Sequence, residues 1–212
     1  MEREGNYAIQ ASQAKASFLR LDQQALIRKL RLRADEHWLY PRLFGTDYRL
    51  HRKTASLERL EDGLWQDANS FEEVMTLLDL ICDSREDRHP ALQWKSMASF
   101  GHGFHRSLLE DGTDPWAERF ARDPQGFSRA CEALGGTPLP QGDAAYAIEV
   151  FDGLPLGIQL WLGDEEFPSR LVVMWDANAL QYLHYETMYF AKALLLRRLR
   201  QRMEDLTEPQ CC

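Results

Sequence analysis

The chain has 212 residues, of which 44% are hydrophobic and 27% charged, with a formal net charge of -8. These fractions exclude a disordered chain, and the length suits a single domain, 1–212, with lobes at 1–65 and 66–212. Because no apolar run approaches the ~20 residues that span a bilayer and the first residues do not form a signal peptide, we expect a cytoplasmic protein without a membrane partner.

The two signs of charge are distributed unevenly along the chain. Residues 1–53 contain 11 basic and 6 acidic side chains, or +5, whereas residues 54–212 contain 14 and 27, or -13. The basic residues alternate with core-type apolar residues, and an acidic body repels polyanions. We therefore expect no nucleic-acid partner.

Four cysteines, Cys82, Cys131, Cys211 and Cys212, follow no CxxC spacing. This pattern predicts no intrinsic iron–sulfur cluster and no disulfide framework. For the terminal pair we expect a tail without a structural role, with lipid attachment and metal capture as the alternatives.

The N-terminal third of the chain predicts a helix followed by a small sheet. Apolar residues recur at helical spacing over 6–33, which indicates one helix. Short alternating segments at 38–44, 48–51 and 57–60 then predict an antiparallel meander. Ser70 and Glu73 form a capping box, so a second helix begins there and extends to about Cys82.

The remainder of the chain predicts more helices and a second meander. Residues 91–112 have no clear period, 114–122 and 124–134 indicate two helices, and 144–151, 156–161 and 170–175 indicate three strands. Asp176 to Asn178 is expected to cap a long helix that ends near Met203 and packs against the second sheet. Because no βαβ crossover is present, the fold class is α+β, with two small antiparallel meanders packed with helices.

The topology of the second meander predicts a group of polar residues. The turn at Asp152 and the end of the last strand at Asp176 should lie at the same edge of the sheet, below the first turns of the last helix. The candidate polar pocket therefore consists of Asp152, Asp176, Asn178, His184, Tyr185 and Glu186. Carboxylates, an amide and an imidazole could bind a divalent metal or perform acid–base chemistry. The alternative is that they cap turns and satisfy buried groups.

Two further groups are secondary candidates. The consecutive carboxylates Asp164, Glu165 and Glu166 sit in the turn between the last two strands, where they either stay solvated or bind a cation or a basic partner. His102 and His105 resemble half of a metal site, but Gly103 between them disfavours the helix that would align the two rings.

Several segments together resemble the DUF3786 family of prokaryotic proteins. They are Leu154-Pro155, Gly163 to Pro168, Trp175 to Asn178, Leu183 to Thr187, Tyr48 to Thr54, Leu134 to Gly136 and Gly142-Asp143. The resemblance covers most of the chain and implies no defined reaction. It does imply a link to iron–sulfur or corrinoid-associated proteins, and any cluster would then belong to a partner.

Three hypotheses for the function follow. The first is an accessory or ligand-binding protein that uses the candidate polar pocket, and the second is a metal-dependent enzyme in which His184 is a ligand or general base. The third is a protein–protein interaction module that uses one of two basic helical faces. These faces are Arg28, Lys29, Arg31 and Arg33, or Arg197, Arg198, Arg200 and Arg202.

Overall fold

The computed structural model describes residues 2–101 and 115–207. In that part of the chain the helices are α1 (Glu2–Arg20), α2 (Gln23–Leu30), α3 (Phe71–Cys82), α4 (Pro115–Ala121), α5 (Pro124–Ala133) and α6 (Tyr185–Thr207). The strands are β1 (Arg33–Ala34), β2 (Trp38–Tyr40), β3 (Arg42–Leu43), β4 (Thr46–His51), β5 (Leu57–Glu61), β6 (Leu64–Asp67), β7 (Trp94–Ser96), β8 (Thr137–Pro138), β9 (Ala144–Phe151), β10 (Leu154–Trp161) and β11 (Arg170–Asp176). Single 3₁₀ turns lie at Met97–Ser99 and Ala179–Gln181.

The first sheet contains the predicted small meander and extends it. Its antiparallel order is β1-β2-β4-β5-β6, and β3 pairs with β4. The strand β6 was not predicted because its residues lack an alternating apolar face, and Leu64 at its start is 64% exposed. The turn into β6 has positive φ at Asp62 (49°) and Gly63 (78°), the conformation of a two-residue hairpin turn.

The second sheet confirms the predicted three-stranded meander and adds a strand at each edge, in the order β7-β11-β10-β9-β8. At its centre, Leu156 of β10 pairs with Ile148 on one side and Trp175 on the other, and all three are fully buried. The edge strands β7 and β8 are three and two residues long, so they show no sequence period.

The prediction of one helix over 6–33 is wrong. The first helix ends at Arg20. The Asp22 carboxylate then accepts hydrogen bonds from the amides of Gln24 and Ala25 and caps a new helix, α2. The period continues across the break because both helices face the same core, with Phe18 and Leu26 buried. The left-handed Arg31 ends α2, so Arg33 lies in β1.

The long C-terminal helix α6 has α3 and α5 as its main neighbours, and α5 in turn packs on β9 of the second sheet. Its buried residues, including Met188, Leu195 and Leu199, join a core shared by both sheets. Within residues 2–101 and 115–207, no helix is both long and apolar enough to cross a membrane.

The capping box at the start of α3 is confirmed and leads into a buried ionic network. Ser70 Oγ accepts from the Glu73 amide and donates to Glu73 Oε2 (2.6 Å). The other oxygen, Oε1, accepts hydrogen bonds from Tyr48 Oη (3.1 Å), Arg59 Nη1 (2.6 Å) and Arg198 Nη2 (2.8 Å). Burial raises the pKa of the Tyr48 hydroxyl. This one carboxylate therefore joins β4, β5 and α6 to the start of α3.

We expect Glu73→Gln to lower the free energy of unfolding by about 3 kcal/mol, because the guanidinium groups of Arg59 and Arg198 are then left with the single carboxylate of Glu61 between them. Chemical denaturation measures the change. The matched control is Glu72→Gln, whose carboxylate pairs with Arg197 in a partly exposed contact and should cost under about 1 kcal/mol. Equal small losses for the two variants would show that the network is not a main stabilising contact.

Candidate metal centre

Two carboxylates lie one turn apart near the end of α3. Asp79 and Asp83 are spaced i, i+4, so they share one face of the helix, and the Asp83 amide donates to the Asp79 carbonyl (2.9 Å). The Asp79 side chain is buried and Asp83 is exposed. This helix end therefore presents a pair of negative charges that points from the core towards the surface.

His184 reaches this pair from the start of α6. Its carbonyl accepts from the Met188 amide, as an N-cap residue does, and its own amide donates to Asp79 Oδ2 (2.8 Å). Its ring Nδ1 lies 2.6 Å from Asp79 Oδ1. Asp79 thus caps α6 and orients the imidazole with one carboxylate.

The charges of the three groups interact strongly. The hydrogen bond to Asp79, followed by the charge of Asp79, raises the pKa of His184. Burial and the nearby charge of Asp79 raise the pKa of Asp83. The charge of Asp79 contributes to both shifts, since a carboxylate favours a proton or another cation beside it.

The neighbouring residues of α2 and α3 support the helix end without adding a ligand. Lys29 Nζ donates to the carbonyls of Cys82 (3.1 Å) and Ser84 (2.9 Å), and burial lowers its pKa. Burial, with the charge of Asp83, raises the pKa of the Cys82 thiol to about 12. Cys82 therefore remains protonated and is a poor metal ligand.

One ligand atom from each of Asp79, Asp83 and His184 lies within 4.8 Å of the other two. Two carboxylate oxygens and an imidazole nitrogen are ligands for Mn²⁺, Fe²⁺ and Zn²⁺. Two of these three residues, Asp79 and His184, also have the geometry of an acid–base dyad.

Three of the predicted pocket residues meet around a different segment, the loop before β7. The Asp176 carboxylate is fully buried and accepts hydrogen bonds from the amides of Ala91 (2.9 Å), Leu92 (2.7 Å) and Asn178 (2.8 Å). The prediction that Asp176 caps α6 is therefore wrong: these three amides occupy its oxygens, and α6 begins nine residues later.

The other two residues of this group also hold the loop. Arg88 Nε donates to Asp152 Oδ2 (2.8 Å), and Asn178 Nδ2 donates to the carbonyl of His89 (3.1 Å). Asp152, Asp176 and Asn178 therefore attach the loop to one edge of the second sheet. His184 instead forms hydrogen bonds with Asp79 of α3. The residues of the predicted polar pocket therefore lie at two separate places in the structure.

Tyr185 and Glu186, the last two predicted pocket residues, occupy the first turn of α6. Tyr185 Oη lies 3.0 Å from Tyr189 Oη, and its ring packs against Gly101. Glu186 is exposed, and its charge contributes to the raised pKa of His184.

The secondary acidic turn is ordered by its own first residue. Asp164 Oδ1 accepts from the amides of Glu166 (2.9 Å) and Phe167 (2.8 Å), and these bonds lower its pKa. Glu165 and Glu166 are exposed to solvent. The histidines His102 and His105 and the terminal Cys211 and Cys212 lie outside the described residues.

The two basic faces differ in how many of their side chains are exposed and how many form ion pairs. On α6, Arg198 is buried in the Glu73 network, while the other three pair with acidic residues of α3 or α6: Arg197 with Glu72, Arg200 with Glu204 and Arg202 with Asp205. On the first face, Lys29 caps α3 and Arg33 stacks on Tyr40 (4.1 Å). Arg28, Arg31 and Arg33 are exposed, and Lys29 is half-buried.

Asp79 and Asp83 were absent from the predicted set. The available signal was the charge of Asp79 inside the apolar run from Leu77 to Ile81, because a carboxylate on a buried helix face requires a partner. That partner, His184, lies 105 residues away in sequence, and only the folded structure identifies it.

The fold and this site define an α+β protein with two antiparallel sheets and a carboxylate–imidazole cluster between two helices. The chain belongs to the family described as Domain of unknown function (DUF3786), whose model matches residues 22–198. Searches of curated proteins and of solved structures each return no significant match.

We expect Asp79→Asn to lower the pKa of His184 towards its ordinary value, because the charged hydrogen-bond acceptor is lost. A ¹H–¹⁵N NMR titration of the imidazole measures it, with Asp62→Asn, at an exposed turn, as the control. In the wild type the raised pKa contributes stability that is fully present below the unfolded pKa of about 6.5 and is lost as the pH rises through the folded pKa. An unchanged His184 titration in Asp79→Asn would contradict the assignment.

Proposed function

We propose that the chain is a metal-dependent ligand-binding protein that holds a divalent cation between Asp79, Asp83 and His184. The observation that carries the proposal is the convergence of three ligand atoms from two helices within 4.8 Å. As in the sequence prediction, His184 is a proposed metal ligand. The proposed carboxylate ligands are now Asp79 and Asp83, in place of Asp152 and Asp176.

The local electrostatics support a cation at this position. Two carboxylates one turn apart repel each other, and the charge of Asp79 contributes to the raised pKa values of both Asp83 and His184, which favours positive charge at this place. A divalent ion supplies that charge, displaces the protons of both groups and pairs with both carboxylates. Metal binding at this site therefore releases protons.

Exposure of the cluster favours an exchangeable site over a purely structural one. The His184 side chain is 66% exposed, whereas Asp79 is 7% exposed, so the cluster has one buried side and one side open to solvent. Three protein ligands leave at least one coordination position for water or for an oxygen-donor ligand. A bound ion there supplies Lewis-acid chemistry to that ligand.

A second candidate is an acid–base site without a metal, favoured by the 2.6 Å contact between Asp79 and His184 Nδ1. In this hypothesis Asp79 fixes the tautomer, and Nε2 exchanges a proton with a substrate. The predicted accessory role beside iron–sulfur or corrinoid proteins is compatible with either chemistry and stays a prediction.

Isothermal titration calorimetry with Mn²⁺ and Zn²⁺ on the full chain tests the metal site. We expect one site per chain, weakened about 100-fold or more by Asp83→Asn or His184→Gln, because each removes one of three ligands. The matched controls, Asp62→Asn and His37→Gln, change the same residue types at exposed positions elsewhere and should bind as the wild type does. Absence of wild-type binding at about 1 mM metal would reject the proposal and leave the acid–base site.

The pH dependence of metal affinity gives a separate test. Because His184 and Asp83 have raised pKa values and must lose their protons to bind, we expect affinity to increase as the pH rises through those values. Titrations in buffers of different ionisation enthalpy count the protons released. Affinity that is flat across this range would place the ion elsewhere.

A further inference from the structure

Two hairpin turns of the molecule contain the same dipeptide in the same conformation. Asp62-Gly63 joins β5 to β6, and Asp152-Gly153 joins β9 to β10. The φ angles are 49° and 78° in the first turn and 48° and 82° in the second, so each aspartate is left-handed. Both pairs are exposed, and a side chain on either glycine would meet no described atom within 4 Å outside the adjacent residues. The two turns are therefore a matched pair.

The contacts around the two turns differ. Arg88 Nε donates to Asp152 Oδ2 (2.8 Å), and the Gly153 amide donates to Glu149 Oε1 (3.1 Å). The Arg88 side chain is only 7% exposed, so it holds the Asp152 carboxylate from a fixed position. Within residues 2–101 and 115–207, no side chain binds either the Asp62 carboxylate or the amide that follows it.

An aspartate followed by glycine has a reaction of its own. The glycine amide nitrogen attacks the aspartate Cγ, one carboxyl oxygen leaves as water with the amide proton, and a five-membered succinimide forms. Water then opens the ring: attack at Cγ restores aspartate, whereas attack at the former backbone carbonyl leaves isoaspartate, with the main chain passing through Cγ. Glycine favours the ring because it has no side chain to obstruct the attack. The reaction requires only that Cγ and the amide nitrogen rotate into contact.

We propose that Asp62 is a site of spontaneous isoaspartate formation and that the contacts of Asp152 protect the second turn from the same reaction. At Asp62 the carboxylate and the following amide rotate without breaking a contact. At Asp152 the ion pair with Arg88 and the hydrogen bond from the Gly153 amide to Glu149 must both break first.

The position of Asp62 determines what the modification changes. Isoaspartate lengthens the main chain by one carbon inside a two-residue turn, so β6 loses its register on β5, the strand with which it pairs. Glu61, the residue before the turn, accepts from Arg59 Nη2 (3.0 Å) and Arg198 Nη1 (2.8 Å). The modification therefore acts at the edge of the first sheet, beside the ionic network that joins this sheet to α6.

Peptide mapping of aged protein tests the proposal. The full chain is kept at neutral pH and physiological temperature for several weeks and digested with trypsin. Isoaspartate is detected by its resistance to an aspartate-specific protease and by methyl transfer from S-adenosylmethionine to its free carboxylate. We expect at least about tenfold more isoaspartate at Asp62 than at Asp152, because two contacts must break before Asp152 reacts.

Asp62→Glu is the control for this assay, because it keeps the charge but would have to form a six-membered ring, and it should contain no isomer at this position. The third such dipeptide, Asp111-Gly112, lies outside the described residues and on a separate tryptic peptide. Equal amounts of isoaspartate at Asp62 and Asp152, or none at Asp62, would overturn the proposal.

Two variants test the protection of Asp152. Arg88→Gln removes the cation that holds its carboxylate, and Glu149→Ala removes the acceptor of the Gly153 amide. Each is expected to raise isoaspartate at Asp152 several-fold, with the amount at Asp62 in the same molecules as the internal reference. Glu149 is exposed, so its variant keeps the test valid if loss of Arg88 unfolds the chain. An Asp152 that stays unreactive in folded protein of both variants would overturn the proposal.

Discussion

The Glu73 carboxylate is the contact on which the arrangement of the molecule depends. It completes the cap of α3 and accepts hydrogen bonds from Tyr48 and Arg59 of the first sheet and from Arg198 of α6. Since it is buried, each of these bonds is made at a place where an unpaired charge is costly. The first sheet, α3 and α6 therefore meet at a point where position and charge must both match.

This network also determines how the candidate metal centre is assembled. Glu73 near the start of α3 contacts Arg198 far along α6, while Asp79 near the end of α3 contacts His184 at the start of α6. The two helices consequently run in opposite directions and are connected at both ends. The ionic network holds one end in the core, and the carboxylate–imidazole cluster closes the other end at the surface.

Local sequence signals predicted much of the fold and little of the site. The capping box at Ser70, the alternating strands from Ala144 to Trp175 and the resemblance to DUF3786 each depend on neighbouring residues, and each is confirmed. The break at Asp22 and the role of Asp176 were missed for one reason. An aspartate before a helical segment can accept hydrogen bonds from the amides of that helix or from amides elsewhere, and the sequence does not distinguish the two cases. Asp22 caps a new helix, whereas Asp176 binds a distant loop. The pairing of Asp79 with His184 joins distant segments and has no local signature.

The double role of Asp79 divides the ligands of the proposed site into two kinds. Asp83 and His184 are exposed, and their side chains can be exchanged with little effect on the core. Asp79 accepts the amide of His184, the N-cap residue of α6, so its loss would weaken the start of that helix together with the site. In evolution, substitutions at position 83 would thus change the metal preference of the site, whereas position 79 is constrained by folding. The chemistry of such a site would diversify on its solvent side and stay constant on its buried side.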